Sequence, residues 1–181
     1  AKDSLLPYII EMLYKNNIKV GLTTSGVSLI YLNRFFPESV NYLNDCDVSF
    51  DSPFLHEHNS NRGANVYGDA IKALEICKEA SLPHTIIMAA MSWNFSDSHI
   101  EELVKMARKY EAHVRINPLK PTMLDHLNIA LKPEDYYRGF KKLLELCDPV
   151  DLGEPPLASI TNYIGGMRCP CGRTSFRIHS I

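Results

Sequence analysis

The chain has 181 residues, 45% hydrophobic and 22% charged, with a formal net charge of -2. That composition is ordinary for a globular protein, long enough to bury a core without disulfide staples, and it lacks the basic footprint of a nucleic-acid binder. No apolar run reaches the roughly 18 residues a membrane span needs, so neither a nucleic acid nor a membrane is expected as a partner.

The first residues, AKDSLLPYII, carry no basic-then-apolar-then-small signal pattern. Five cysteines, an odd number, without such a signal argue against a disulfide framework. A cytoplasmic location is the expectation. Cys46, Cys77 and Cys147 are scattered and read as small buried apolar residues.

In chain order, residues 4–16 carry Leu5, Ile9 and Leu13 at helical spacing. Residues 18–24 (IKVGLTT) form a β-branched apolar run closed by Ser25-Gly26, which predicts a strand and a turn. A short helix follows over 29–36, stopped by Pro37. Residues 46–52 (CDVSFDS) read as a second strand, PFLHEHNSNRG as a polar loop, and 64–80 as a helix. Residues 84–91 (HTIIMAAM) give the third strand. A helix begins near Ser96 and runs to Tyr110, with Glu101 and Glu102 toward its positive end. Residues 111–118 (EAHVRINP) are the fourth strand, and 133–147 form a last helix with Tyr137, Phe140, Leu143 and Leu144 on a stripe.

Strands recurring about every 30 residues with helices between them are the mark of βα units in a parallel sheet. Periodicity alone leaves two architectures open, an open doubly wound sheet and part of a barrel. After Cys147 the style changes. DPVDLGEPPLAS reads as a linker, and NYIGGMRCPCGRTSFRIHSI holds two turns and one short strand, too little to fold alone. Both ends look cut, and a partial barrel leaves the edge of its first strand open to association. The isolated piece is expected to be marginal or oligomeric.

In parallel βα folds the functional groups gather at the carboxyl ends of the strands. Those ends read Thr23-Thr24-Ser25-Gly26, Ser49-Phe50-Asp51-Ser52, Met91-Ser92-Trp93-Asn94, and Arg115 with Asn117 and Lys120. The set suits a polar small molecule with hydroxyl, amine and carboxylate groups, although any one of these residues could simply cap the next helix. Ser49 and Asp51 alternate onto one face, and an inward carboxylate there requires a partner or a ligand. Arg62, eleven residues on, can fold back over a carboxylate or a sugar. His56-x-His58 has metal-ligand spacing but no third ligand nearby. Cys169-Pro170-Cys171-Gly172 is the sharpest local signal, since closely spaced thiolates suit soft metals and iron–sulfur clusters.

Taken together, GLTTSG, DVSFDSPFLHEHNSNRG with AIKALEICKEA, TIIMAAM, HVRINPLKPT and CPCGRTSFRI resemble the radical S-adenosylmethionine (SAM) superfamily. The likeness is to the branch with a C-terminal auxiliary-cluster (SPASM or twitch) domain. It implies an α/β fold: a partial (β/α) barrel of parallel strands with helices outside over residues 1–150. Residues 151–181 would be a linker and the start of a small cluster-binding domain. It further implies that Thr24, Ser49, Asp51, Arg62 and Asn117 line a SAM pocket, Ser49 and Asp51 near the ribose and Arg62 near the methionine carboxylate. Cys169 or Cys171 would be the first ligand of an auxiliary [4Fe–4S] cluster.

The parent reaction so implied is one-electron reductive cleavage of SAM followed by hydrogen abstraction from a peptide or small-molecule substrate, with an electron donor as partner. The CxxxCxxC motif that binds the SAM-cleaving [4Fe–4S] cluster in that family does not occur in these 181 residues. The resemblance therefore implies an internal piece of a longer enzyme, inactive by itself. Two other readings stand beside it: a Schiff-base β/α-barrel aldolase using Lys120, and a barrel remnant that binds without turnover.

Overall fold

The computed structural model describes residues 5–119 and 121–147. Helix α1 (Leu6–Lys15) leads into strand β1 (Gly21–Thr24), then α2 (Val27–Phe35), α3 (Pro37–Asn41) and β2 (Asp45–Ser49). Next come α4 (Leu55–Arg62), α5 (Tyr67–Glu79), β3 (His84–Ala90), α6 (Asp97–Tyr110), β4 (His113–Pro118), a 3-10 turn (Leu124–Asn128) and α7 (Pro133–Leu146).

The strands pair in parallel and in sequence order, β1-β2-β3-β4. The register sets Thr23 beside Asp47, Ser49 beside Ile87, and Ala89 beside Asn117. Alternation then divides the sheet into two faces. Cys46, Val48, Phe50, Ile86, Met88, Ala90, Val114 and Ile116 are buried in one core with Leu29 and Leu32 of α2, Ala73 and Leu74 of α5, and Leu103 of α6. On the opposite face lie Thr23, Asp47, Ser49, Thr85, Ile87, Ala89, Arg115 and Asn117, all half-buried or exposed. Helices thus cover one side of an in-order parallel sheet, as the outer layer of a barrel does. A doubly wound sheet would carry them on both. The α/β partial-barrel expectation holds.

Two local expectations change. Pro37 does not merely stop a helix; it opens α3 from its first turn, where a missing N–H costs nothing. The stretch PFLHEHNSNRG is not a loop but contains α4, closed by Gly63 at φ 62°. A left-handed residue at that position ends the helix at least cost when it is glycine. The first strand starts at Gly21 rather than residue 18. It lies at one edge of the sheet and β4 at the other. Among the described residues, no helix is long and apolar enough to cross a membrane.

Candidate functional site at the carboxyl end of the second strand

Phe50 continues β2 by donating its backbone N–H to the Ile87 carbonyl at 2.8 Å. Its ring packs into the core, so Asp51 turns to the other side. There Asp51 becomes the centre of a network. Arg62 Nε lies 2.6 Å from Oδ2, and Arg62 Nη2 donates to Oδ1 at 2.8 Å. Asn61 Nδ2 donates to Oδ2 at 2.8 Å. The carboxylate is almost buried, with its side chain 10% exposed, while the arginine side chain is 31% exposed. A two-point guanidinium grip with a third donor is the arrangement that compensates burial of a carboxylate.

The backbone of Asp51 is held as firmly as its side chain. Its N–H donates to His58 Nδ1 at 3.1 Å, and its carbonyl accepts from Asn94 Nδ2 at 2.6 Å. Asn94 also donates to the Ala89 carbonyl at 2.9 Å and accepts the Met91 N–H at 2.7 Å. One fully buried amide therefore ties the ends of β2 and β3 together. His58 is fully buried against Phe50 and Tyr67, with ring centroids 5.3 and 5.7 Å away. Because Nδ1 accepts, the ring proton sits on Nε2, which has no partner in its pocket. Burial is the main cause holding the His58 imidazole below its usual pKa. The Arg62 charge adds to that effect and the Asp51 charge opposes it.

His58, Asn61 and Arg62 fall at positions i, i+3 and i+4 of α4, which places them on one helix face. Asn59, between them, secures the far end by accepting the N–H groups of Val66 and Tyr67 at 3.0 and 2.9 Å. Sequence reasoning missed His58, Asn61 and Asn94 as parts of this network. The spacing of the first two was a usable signal once the stretch is read as helical.

The structure brings Ser49, Asp51, Arg62 and Asn117 to the uncovered side of the sheet. Ser49 and Asn117 lie one strand to either side of β3, and neither side chain makes a hydrogen bond among the described residues. Thr24 is placed differently. It is buried, pairs with Val48 on the helix-covered face, and its Oγ1 accepts the Gly26 N–H at 3.0 Å. Its neighbour Thr23 holds the uncovered position beside Asp47. Arg115 reaches Asp47 Oδ2 at 3.1 Å on that same face. His56 is exposed while His58 is buried, so the two do not form a metal pair. Lys120, Cys169 and Cys171 lie outside the described residues. Surface hollows of about 290 and 460 Å³ lie at the opposite end of the sheet, beside His113 and Asn44.

No protein-family model matches the sequence, and no curated protein matches it. Solved structures do. A radical SAM methyltransferase from Sphaerobacter thermophilus is similar with a TM-score of 0.58 at 21% identity, over 77% of this chain and 41% of that one. The chain has the fold of radical SAM enzymes. A domain of pyruvate-formate lyase-activating enzyme from Bacteroides vulgatus gives a TM-score of 0.59 at 12% identity, covering 78% of this chain and 86% of the other. Native anSMEcpe with bound AdoMet and Cp18Cys peptide gives 0.56 at 19% identity, over 76% and 40%. The chain thus spans about two fifths of the methyltransferase and of anSMEcpe.

Proposed function

We propose that this chain is part of a cytoplasmic radical SAM oxidoreductase that acts on a peptide or small molecule, and that its strand-end network holds the SAM. The observation that carries the reading is Asp51 fixed by Arg62, Asn61, His58 and Asn94 on the uncovered side of a radical SAM-like sheet. Hydroxyl, carboxylate, amide and guanidinium groups together match the ribose and amino-acid ends of that molecule. SAM, when bound and reduced, supplies the radical chemistry; the protein positions it and excludes water.

In this reading Ser49 offers a free hydroxyl toward the ribose, and Asp51 accepts a ribose hydroxyl at the one acceptor site left on Oδ1. Arg62 spends Nε and Nη2 on Asp51, while Nη1 makes no hydrogen bond among the described residues and is left for the SAM carboxylate. Asp51 thereby orients the arginine as well as touching the ligand. Thr24 acts through the turn at Gly26, and Asn117 closes the pocket from β4. The peptide alternative draws support from the similar structure that carries a bound peptide.

An iron–sulfur cluster does not fit the described residues. Cys46 and Cys77 are buried in the core, and no three metal-ligating side chains are gathered there. Residues 1–150 are proposed as the barrel portion and 151–181 as the start of an auxiliary-cluster domain, with Cys169 and Cys171 as its ligands. The 181-residue chain is proposed to bind SAM without cleaving it. Calorimetric titration of SAM into this chain tests the reading. Binding that weakens at least tenfold in Arg62→Ala and in Ser49→Ala supports it. A folded chain with no SAM binding, or binding indifferent to both substitutions, refutes it.

A further inference from the structure

A second hydrogen-bonded chain, outside the SAM network, crosses from α4 to α6. Ser96 Oγ lies 2.6 Å from His99 Nδ1, and His99 Nε2 lies 2.8 Å from Glu57 Oε2. Ser52 donates its hydroxyl to the same carboxylate oxygen at 2.6 Å and accepts the Phe54 N–H at 3.1 Å, which fixes the carboxylate from the other side. Burial works to raise the Glu57 pKa, but the hydrogen bonds from Ser52 and His99 outweigh it and hold the carboxyl below its usual range.

The polarity of this chain follows from the groups in it. An ionised carboxylate only accepts, so His99 Nε2 carries the ring proton. In the neutral ring Nδ1 is then an acceptor, and the proton in the 2.6 Å contact belongs to Ser96. Ser96 is exposed, whereas His99 is buried at 7% exposure. Ser96 is also the N-cap of α6, but its bond from the His99 N–H is stretched to 3.5 Å. The closer partner of this hydroxyl is the imidazole. Ser98 Oγ, 2.9 Å away, is free to donate to the Ser96 oxygen. A hydroxyl bonded to an imidazole that is oriented by a carboxylate is the arrangement of an activated nucleophile.

We propose that Ser96 is a nucleophilic serine that accepts the acyl group of small esters with an apolar acyl chain. The apolar preference comes from Phe54, whose ring stands edge-on to His99 at 5.1 Å, and from Leu55; they are 37% and 47% exposed. Ser96 Oγ adds to the ester carbonyl while its proton passes to His99 Nδ1. The carbonyl oxygen accepts from the Asp97 and Ser98 N–H groups, which open α6 without intrahelical acceptors. The C–O bond to the leaving alcohol breaks and the alcohol takes the proton from His99. Water then adds to the acyl-serine by the same route, releasing the carboxylic acid and restoring Ser96.

The test uses the full chain, a fluorophosphonate probe and p-nitrophenyl butyrate. A single phosphonyl adduct on Ser96, found by peptide mass spectrometry, is expected, together with a burst of p-nitrophenolate near one per chain. His99→Gln is expected to slow both by about a hundredfold, the scale of a lost general base. Ser96→Asn keeps a competent N-cap and is expected to fold and to lose the adduct and the burst. A folded chain with no adduct on Ser96, or with the same labelling rate after His99→Gln, overturns the proposal.

Discussion

Arg62 reaches back eleven residues to grip Asp51 with two nitrogens, Nε at 2.6 Å from Oδ2 and Nη2 at 2.8 Å from Oδ1. The grip closes the segment between β2 and the end of α4 into one unit. It therefore has consequences for stability as well as for ligand binding.

Arg62→Lys keeps the charge and removes the fork, since a lysine is a point donor. It leaves an almost buried carboxylate with one strong donor fewer. A loss of about 1–3 kcal/mol is expected, read as a lower urea midpoint with an unchanged slope. Arg62→Lys with unaltered stability would show that Asp51 is solvated in solution.

Asn94→Ala should cost more. Three of its hydrogen bonds are to backbone groups of Asp51, Ala89 and Met91 at 2.6, 2.9 and 2.7 Å, and the residue is fully buried. Each backbone group left unpaired in the interior costs about 1–3 kcal/mol. Unfolding by urea is expected to show a loss of about 3 kcal/mol or more, with the ends of β2 and β3 losing hydrogen-exchange protection first.

His58 makes the fold sensitive to acid. Its folded-state pKa is lowered, mainly by burial. Above the unfolded value, roughly 6.5, both states are neutral and stability does not depend on this group. As pH falls below it, the unfolded chain takes a proton that the folded chain refuses. Stability then declines by up to about 1.4 kcal/mol per pH unit until the folded value is reached. His58→Gln can still accept the Asp51 N–H and does not titrate. Denaturation curves between pH 7 and pH 5 are expected to show a shallower decline in that variant.

Gly26 stands at φ 115°, and a Cβ there would lie 2.2 Å from the Asp69 carbonyl oxygen. Gly26→Ala must therefore strain the turn after β1 and push α2 away from α5. A loss of about 2 kcal/mol or more is expected, visible as a lower melting temperature. An alanine variant that melts unchanged would mean that the two helices are not so closely seated.

Much of this architecture is legible in the residues. The β-branched apolar runs give the four strands, and Ser96 marks the start of α6 as its N-cap. The stretch around α4 is not, because Asn, Ser, His and Gly favour turns and caps over helix interiors. That helix exists because Asp51 and the core gain from it: His58 fills the space between Phe50 and Tyr67, while Arg62 neutralises a carboxylate eleven residues upstream and Asn61 donates a further hydrogen bond to it.

By itself the sequence determined the alternation of strand and helix, the parallel sheet it requires, and the placement of polar residues at the strand ends, because these follow from local period and chain connection. Tertiary structure decided which of two adjacent threonines meets the uncovered face, that Asp51 and Arg62 hold each other, and that Ser96, His99 and Glu57 meet. Those outcomes depend on register and on contacts between segments up to 42 residues apart. Local spacing cannot encode them, since burial on one side of a sheet is defined only by what packs against it.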